Sequence, residues 1–272
     1  MIVDVTEEEL SSITQSILKR YGIDFTCYEP KSLRRRIIRI LNKFELASIH
    51  DLWMHFLKTP NFISVFMNEI SVGMTSMFRD PVLWKQMKLK VEVEFMHKPL
   101  FSVWHAGCST GEEVYSFGIL LDQLKLAARV NALATDFNRD AITEAKAGVY
   151  HKIKMIENET NYRTYSSKTD FDKYYTTDGK EAVMNSSLIN HVKFEYHNLI
   201  TDSFKSGFDI IFCRNVMIYF DALAKTRILD KFYDSLNEGG YFVIGFFDTM
   251  SHLIDNRKFK IVDEQAKIFQ KI

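Results

Sequence analysis

The stretch from Trp104 to Gly118 reads WHAGCSTGEEVYSFG and contains residues that could bind a ligand. A run of small residues, from Ala106 to Gly111, is followed at once by Glu112 and Glu113. Glycine lets a backbone approach a ligand closely because it has no side chain. The run follows an apolar strand pattern and precedes a helical one, which is where doubly wound α/β folds bind ligands. We therefore expect a ligand site here.

The spacing of Gly107 and Gly111 does not match the dinucleotide motif G-x-G-x-x-G, and Glu112 stands where a P-loop has lysine. Two carboxylates at a helix start disfavour a phosphate and favour a cationic ligand. Asp136 ends the next predicted strand, VNALATD, at the place where an acidic residue binds ribose hydroxyls. A ribose with a positive charge and no phosphate describes S-adenosylmethionine. An ordinary strand–helix turn for the glycines and a helix N-cap for Asp136 are the alternatives.

Two further segments place polar residues where they could join this site. In FDIIFCRNVMIYFD a buried strand runs into Arg214 and Asn215, and Tyr219 follows. Residues after parallel strands lie at the same edge of a sheet as the glycine loop. In ISVGMTSMFRD, Arg79 precedes Asp80. A capped turn with a core tyrosine, and a solvated arginine with a local partner, are the alternatives.

The pattern of apolar residues predicts the elements that position these groups. The first ~70 residues read as helices, beginning with a capping box at Thr6 and Glu9. From about residue 100, strands alternate with helices, which predicts a parallel sheet with helices on both faces. One predicted helix is stopped by Gly239-Gly240. We expect an all-α domain over 1–72 and an α/β domain over 73–272. The latter would include a linker over 73–100 and an inserted β-subdomain over about 165–190, with a hairpin turning at Asp178-Gly179.

Composition excludes several classes of protein. Among 272 residues, 35 Lys and Arg balance 35 Asp and Glu, so net charge points neither to nucleic acid nor to an anionic membrane. The three cysteines, at unrelated spacing, predict neither disulfides nor a zinc site, and we expect no metal. The acidic N-terminus lacks a signal-peptide pattern, and no apolar run reaches the ~20 residues of a membrane span. We expect a reduced, cytoplasmic protein without membrane insertion.

Together the segments AGCSTGEE, ATDFNRDAITEAKAGVY and FDIIFCRNVMIYFD resemble those of the chemotaxis receptor glutamate methyltransferases, the CheR family. MTSMFRD resembles the linker motif of that family, usually N-x-T-x-F-F-R. The resemblance covers about residues 70–245, and the helical N-terminal part is similar in layout. It implies an α/β, Rossmann-like S-adenosylmethionine-dependent methyltransferase domain. It also implies an inserted small β-subdomain and a preceding small all-α domain.

The resemblance also implies roles for individual residues. Glu113 would hold the methionyl ammonium of the cofactor, Asp136 would hold its ribose, and the product would be S-adenosylhomocysteine. Arg79 and Tyr219 would be catalytic and would stand near the transferred methyl group. The expected cofactor-binding residues are Thr75, Arg79, Ala106, Gly107, Glu113, Asp136, Phe137, Asn198, Leu199, Asn215 and Val216.

The implied reaction is transfer of a methyl group to a glutamate side chain of the cytoplasmic signalling region of a chemotaxis receptor. Glutamate is ionised at neutral pH, so the nucleophile needs no general base. The eight histidines are scattered, and none falls in one of the segments that carry the resemblance, so no catalytic histidine is expected. The sequence departs from the family pattern at three sites: Gly73, Met77, and Phe246-Phe247-Asp248, where the family commonly has His-Ser-Glu.

Contact with the receptor is expected through the basic helix KSLRRRIIRILNK, in which Arg34, Arg35, Arg36 and Arg39 would form the docking face. A solvated basic face is the alternative. The hairpin holds only Gly179 where tail-binding relatives have a glycine-rich loop, so we expect no tether to a receptor tail peptide. Two other functions stay open: a nucleic-acid methyltransferase, although RNVMIY lacks the N/D-P-P-Y/F motif, and a receptor-docking adaptor with reduced turnover.

Overall fold

The computed structural model describes residues 4–71, 75–248 and 250–272. Backbone contacts divide the chain into two units, one of Met1–Val72 with Met217–Ile228 and one of Gly73–Val216 with Leu229–Ile272. The grouping of Met217–Ile228 with the first unit was not expected from the sequence. The expected boundary between residues 72 and 73 lies outside the described residues.

The first unit is helical, as its apolar periodicity predicts. Its N-terminal helices are α1 (Glu7–Tyr21), α2 (Pro30–Lys43), α3 (Ile49–Lys58) and α4 (Phe62–Ile70). The predicted capping box is present, since Thr6 and Glu9 each accept the other's backbone N–H. The inward faces of the first two helices are buried as expected at Leu10, Ile13, Ile17, Leu33, Ile37, Ile40 and Leu41.

A mostly parallel sheet forms the second unit. Its strands, within the described residues, are β1 (Phe101–Ala106), β2 (Val130–Asp136), β6 (Val192–Tyr196), β7 (Phe208–Cys213), β8 (Leu236–Ile244), β9 (Phe259–Asp263) and β10 (Ile268–Lys271). Their order is β6-β2-β1-β7-β8-β10-β9, and the last two strands are antiparallel to their neighbours. This confirms the predicted α/β class, and it places β1 between β2 and β7.

Helices connect the strands of this sheet: α6 (Glu112–Leu124), α7 (Arg139–Ala147) and α9 (Ala222–Ser235), the last beginning in the first unit. The helix predicted over ALAKTRILDKFYDSL, residues 222–236, is present and ends at Ser235, but Gly239-Gly240 do not stop it, because β8 begins at Leu236. Both glycines lie within the strand, and a Cβ on Gly240 would lie 2.8 Å from the carbonyl oxygen of Asn237.

A small antiparallel sheet interrupts the alternation of strands and helices. It contains β3 (Val149–His151), β4 (Tyr175–Thr177) and β5 (Glu181–Met184), in the order β3-β5-β4, with α8 (Lys152–Ser166) between its first two strands. The amide of Asp178 donates to the carbonyl of Glu181, so the turn residues are Gly179 and Lys180. The predicted hairpin is therefore present with its turn one residue later.

The segment that precedes α5 (Pro81–Lys90) is held by buried side chains of the second unit. Phe78 is fully buried and stacks on Tyr165 with ring centroids 4.6 Å apart. Its amide donates to the Ser116 hydroxyl at 2.8 Å, and the amide of Met77 donates to Asn158 Oδ1 at 2.8 Å. Met77, which departs from the linker motif N-x-T-x-F-F-R, is therefore a core residue. The other linker departure, Gly73, lies outside the described residues.

Candidate active site

The glycine loop lies against the end of β7, which explains its bare backbone. Gly107 has a φ of 83°, in the region that favours glycine. A Cβ at this position would lie 2.3 Å from Cγ2 of Val216, far inside van der Waals contact. The amides of Gly107 and Cys108 both donate to the Thr135 carbonyl at 2.8 Å. The loop after β1 is thus fixed to its neighbours on both sides.

Asp136 is buried at the end of β2 and holds the same loop. Its Oδ2 accepts the amide of Ser109 at 2.8 Å, and its Oδ1 accepts the amide of Asn138 at 2.9 Å. Burial raises the pKa of Asp136, and these amide hydrogen bonds oppose that rise. The N-cap of α7 is Asn138, whose side chain accepts from Asp140 and Ala141. The N-cap alternative for Asp136 is therefore wrong.

The two adjacent glutamates contact different parts of the second unit. Glu112 is fully buried, accepts the Thr110 hydroxyl at 2.7 Å and lies 3.3 Å from Lys154 Nζ on α8. Burial raises the pKa of Glu112, and Lys154 opposes the rise. Glu112 therefore links the glycine loop to the inserted region, while Glu113 points to a second cluster.

Glu113 lies between His105 and Arg214. Its Oε1 is 2.8 Å from His105 Nδ1, and its Oε2 accepts Arg214 Nη1 at 3.1 Å. Burial alone would raise the pKa of Glu113, but the hydrogen bond from His105 and the charge of Arg214 outweigh it and lower that pKa. His105 is fully buried and stacks on Phe212 at 5.0 Å.

His105 was not singled out from the sequence, because it lies outside the segments that carry the family resemblance. His105 lies in the stretch from Trp104 to Gly118, one residue before the end of β1 at Ala106. Its position at the carboxyl end of a central strand was the signal that could have identified it.

Arg214 joins the linker to this cluster. Its side chain is only 4% exposed, and its Nη2 donates to the Asp80 carboxylate at 2.9 Å and to the Arg79 carbonyl at 2.8 Å. The same carbonyl accepts Trp84 Nε1 at 3.0 Å. From sequence, Arg214 was recognised only as a polar residue at a strand end. The structure makes it the centre of a buried charge network that includes Glu113.

The three residues Phe246-Phe247-Asp248, which depart from the family pattern, lie in two different environments. Asp248 is buried, and its Oδ2 accepts the amides of Asn215 and Gly245 at 2.7 Å each. It therefore fixes the chain after β7 against the chain after β8, while Asn215 adopts a φ of 58°. Phe246 and Phe247 are each 58% exposed, and their rings lie 5.3 Å apart.

The remaining expected cofactor residues of the second unit follow strand ends. The amide of His197 donates to the Asp136 carbonyl at 3.0 Å, so Asn198 comes directly after a residue that contacts Asp136. Asn198 Oδ1 accepts the amide of Ile200 at 2.9 Å. Ala106 and Leu199 are buried, whereas Thr75, Phe137 and Val216 are half-buried.

Tyr219 belongs to the first unit, and its backbone and ring are held there. Its carbonyl accepts the amide of Glu29 at 2.9 Å, and the guanidinium carbon of Arg36 lies 4.0 Å from its ring centre. Arg36 is 6% exposed and donates to the Ile70 carbonyl at 2.7 Å. The expectation that Arg36 lies on an exposed docking face is therefore wrong, because its side chain is used inside the unit.

The other basic residues of α2 are more accessible. Arg35 and Arg39 are exposed, and Arg34 is half-buried with Nη2 3.7 Å from a Glu7 carboxylate oxygen.

Over the described residues, no cluster of His, Cys, Asp and Glu could hold a metal ion. None of the described helices combines the length and apolar character needed to cross a membrane.

Comparison with known proteins gives matches along nearly the whole chain. Residues 73–268 match the family described as CheR methyltransferase, SAM binding domain, and residues 8–71 match CheR methyltransferase, all-alpha domain. The Pseudomonas putida protein Cher3, whose name gives it provisionally as a methyltransferase, is 35% identical over 98% of this chain and 97% of its own. The chemotaxis protein methyltransferase of Listeria innocua is 29% identical over 90% of this chain and 91% of its own.

Among solved structures, the N-methyltransferase NodS of Bradyrhizobium japonicum in complex with S-adenosyl-l-homocysteine is similar with a TM-score of 0.40. It is 14% identical and covers 69% of this chain and 85% of that chain.

Proposed function

Because the chain belongs to the CheR methyltransferase family, we propose that it methylates glutamate side chains of chemotaxis receptors, forming methyl esters. The observation that carries this proposal is the match to proteins named chemotaxis protein methyltransferase along most of both chains, which reaches 90% of this chain for the Listeria innocua relative. The match includes the helical unit, so the likeness extends beyond the cofactor-binding domain.

The chain is an S-adenosylmethionine-dependent methyltransferase, and its residues fit this cofactor. The Asp136 carboxylate accepts the amides of Ser109 and Asn138, and a carboxylate offers about four lone-pair sites, so capacity remains for ribose hydroxyls. Among the described residues, Asn215 Nδ2 is buried and has no hydrogen-bond partner, so it can donate to a bound group. We propose that the cofactor contacts are those expected from sequence, with Asp136 and Asn215 as the polar anchors.

The charge near Glu113 also suits the methionyl end of the cofactor. Arg214 is one cation between the carboxylates of Asp80 and Glu113, at 2.9 and 3.1 Å. The three groups together carry one net negative charge, which attracts an ammonium group in a site of low dielectric constant. Glu113 would therefore act on the ammonium as part of a cluster rather than as a lone carboxylate.

The chemistry assigned to the chain itself is mainly alignment. S-adenosylmethionine supplies a methyl group on a positively charged sulfur, and the receptor glutamate supplies an ionised oxygen. Holding the two reactants in line can lower the activation barrier by up to ~7–11 kcal/mol. We propose that Arg79 steers the incoming carboxylate and that Tyr219 makes a hydrogen bond near the transferred methyl group.

Receptor docking is proposed for the accessible arginines of α2, Arg34, Arg35 and Arg39. Receptor methylation segments present glutamates, so a basic surface has the complementary charge. No tail tether is proposed, because the turn of the β4–β5 hairpin has only Gly179 and Lys180 and offers little backbone for binding a peptide.

Transfer of tritium from labelled S-adenosylmethionine tests this function. The substrates would be recombinant cytoplasmic receptor fragments from the source genome, with total RNA from the same cells in a parallel reaction. Base-labile label on the receptor supports the proposal, and label on RNA would support a nucleic-acid methyltransferase. Receptor binding without label would indicate an adaptor. The Asp136→Asn protein serves as the cofactor-binding control.

A further inference from the structure

The buried network around Arg214 points to a role beyond folding. One guanidinium contacts the Glu113 carboxylate, the Asp80 carboxylate and the backbone carbonyl of Arg79, at 3.1, 2.9 and 2.8 Å. We propose that Arg214 is a positioning residue. By holding the backbone of Arg79, it fixes the direction from which the Arg79 side chain reaches the receptor carboxylate and so aligns that carboxylate. The proposal rests on the function proposed above and names a residue that this function does not itself require.

The backbone around Arg79 needs such support. Phe78 and Asp80 have φ values of 51° and 60°, in the left-handed region that non-glycine residues rarely adopt. Conformations of this kind persist only where the surroundings determine them. Phe78 is held by its amide hydrogen bond to Ser116, and Asp80 is held by Arg214. Arg79 therefore lies between two residues whose unusual conformations are fixed from outside the segment.

An arginine is needed at position 214 because one side chain must donate hydrogen bonds to three acceptors. A guanidinium is planar and presents its donors in a rigid fork, whereas a lysine ammonium is a compact charge. A lysine at position 214 could keep one or two of the contacts but could not span all three. Since the Arg214 side chain is 4% exposed, water cannot take over the lost hydrogen bonds freely. The linker would then be free to shift relative to Glu113.

The test compares the full-length wild type with Arg214→Lys, which keeps the charge and the long aliphatic stem. The turnover number and KM for receptor fragments are measured with tritiated S-adenosylmethionine, and S-adenosylhomocysteine affinity by calorimetry. A misplacement of about 1 Å can cost ~100-fold in rate. We expect a fall in turnover of at least roughly tenfold on that scale, with product affinity within about threefold.

A matched control is Arg163→Lys on α8, because Arg163 forms an exposed i,i+4 pair with Glu159 at 2.6 Å. This exchange should leave turnover within about twofold, since exposed pairs contribute little. Turnover of Arg214→Lys that equals that of this control would overturn the proposal. So would a loss confined to product affinity.

A second measurement does not depend on catalysis. Hydrogen exchange of the amides of residues 77–84 should accelerate in Arg214→Lys while the amides of β1 and β7 stay protected. Unchanged exchange in the linker would contradict the proposal even if turnover falls. If wild type shows no receptor methylation, the proposed function fails, and the exchange result still decides whether Arg214 holds the linker.

Coupling between Arg214 and Asp80 separates positioning from general damage. Asp80→Asn replaces the charged acceptor of one of the three contacts by a neutral amide oxygen and so weakens that contact, and the double variant combines this change with loss of the fork. If Arg214 acts through the linker, the two changes share one effect, so the double variant should lose little more turnover than Arg214→Lys alone. Fully multiplicative losses would show that Arg214 acts by another route.

Discussion

The guanidinium of Arg36 lies over the ring of Tyr219, with its central carbon 4.0 Å from the ring centre. The chain around Tyr219 is also paired with the segment that precedes α2, through a bridge between Tyr28 and Phe220 and the hydrogen bond from Asp221 to Cys27. The first unit thus contributes to the conformation of a proposed catalytic residue. If Tyr219 acts as proposed, the helical unit has a role in addition to the proposed receptor docking.

We predict that Arg36→Lys lowers turnover while leaving S-adenosylhomocysteine affinity within about twofold, since lysine stacks poorly on an aromatic ring. Loss of the stacking and of the hydrogen bond to the Ile70 carbonyl should also lower the free energy of unfolding by ~1–3 kcal/mol. Arg163→Lys, which changes an exposed arginine on α8 with no proposed role, is the control. Urea unfolding and single-turnover kinetics would measure both effects. Equal turnover in the two variants would contradict the role given to Arg36.

Affinity for S-adenosylhomocysteine should depend on the charge of Asp136. Its folded-state pKa lies above the ordinary value of about 3.9 because of burial, and in the proposed site its ionised form would accept the ribose hydroxyls. Affinity should therefore decline as pH is lowered toward that raised pKa, at a higher pH than an exposed aspartate would cause.

Asp136→Asn should weaken binding at pH 7 by ~10- to 100-fold, because hydrogen bonds to a charged acceptor are lost. It should also remove this pH dependence. Calorimetry from pH 5 to 7 would measure both effects, with Asp122→Asn on the exposed side of α6 as the control. A pH profile that is identical in wild type and Asp136→Asn would remove Asp136 from the binding site.

Substitution of Gly107 should be more harmful than substitution of another glycine with similar backbone. Gly179 has a φ of 92°, and no atom lies within 4 Å of the position that a Cβ would take there, so Gly179→Ala tests backbone strain alone. That strain is ~1–2 kcal/mol. Gly107→Ala adds the clash with Val216 and should therefore lose more stability and also cofactor affinity. Thermal unfolding and calorimetry on both variants decide this, and equal losses would contradict the close contact with Val216.

Glu113 should stabilise the fold only while it is ionised. Its folded-state pKa is lowered below the ordinary value of about 4.3, so its contribution is present above that value and lost as pH falls through the folded pKa. We expect Glu113→Gln to lower the free energy of unfolding by ~1.5–3 kcal/mol at pH 7. The difference from wild type should shrink as pH falls below about 4.3. Urea titrations at several pH values, with Glu157→Gln on the exposed side of α8 as the control, measure this; a constant difference would contradict the assignment.

Receptor docking through α2 should be electrostatic. We predict that Arg35→Glu weakens receptor methylation, that the effect is on KM rather than turnover, and that salt reduces the difference, since exposed charges are screened within ~10 Å at 0.1 M. Lys58→Glu, at the end of α3, reverses a charge on another helix and is the control. Methylation kinetics at two salt concentrations would show the effect. KM values that respond neither to salt nor to Arg35→Glu would exclude this surface.

The sequence alone determined the features that depend on local pattern. Periodicity predicted the helices of the first unit and the capping box at Thr6, and the apolar runs predicted the central strands and their parallel arrangement. The glycine loop and Asp136 were identified because glycines and a carboxylate at the end of a predicted strand can be recognised from the sequence. The resemblance to the CheR family rested on the same segments.

Tertiary structure decided which charged residues are available and which are used internally. Arg35 and Arg36 are adjacent in sequence, yet only Arg36 is buried, because helical rotation turns it toward Ile70 and the ring of Tyr219. Arg214 and Asp80 are far apart in sequence and meet because the packing of the second unit brings the start of α5 against the chain after β7. The periodicity of a helix shows which face is apolar, but long-range pairing of polar groups depends on the packing of the whole chain.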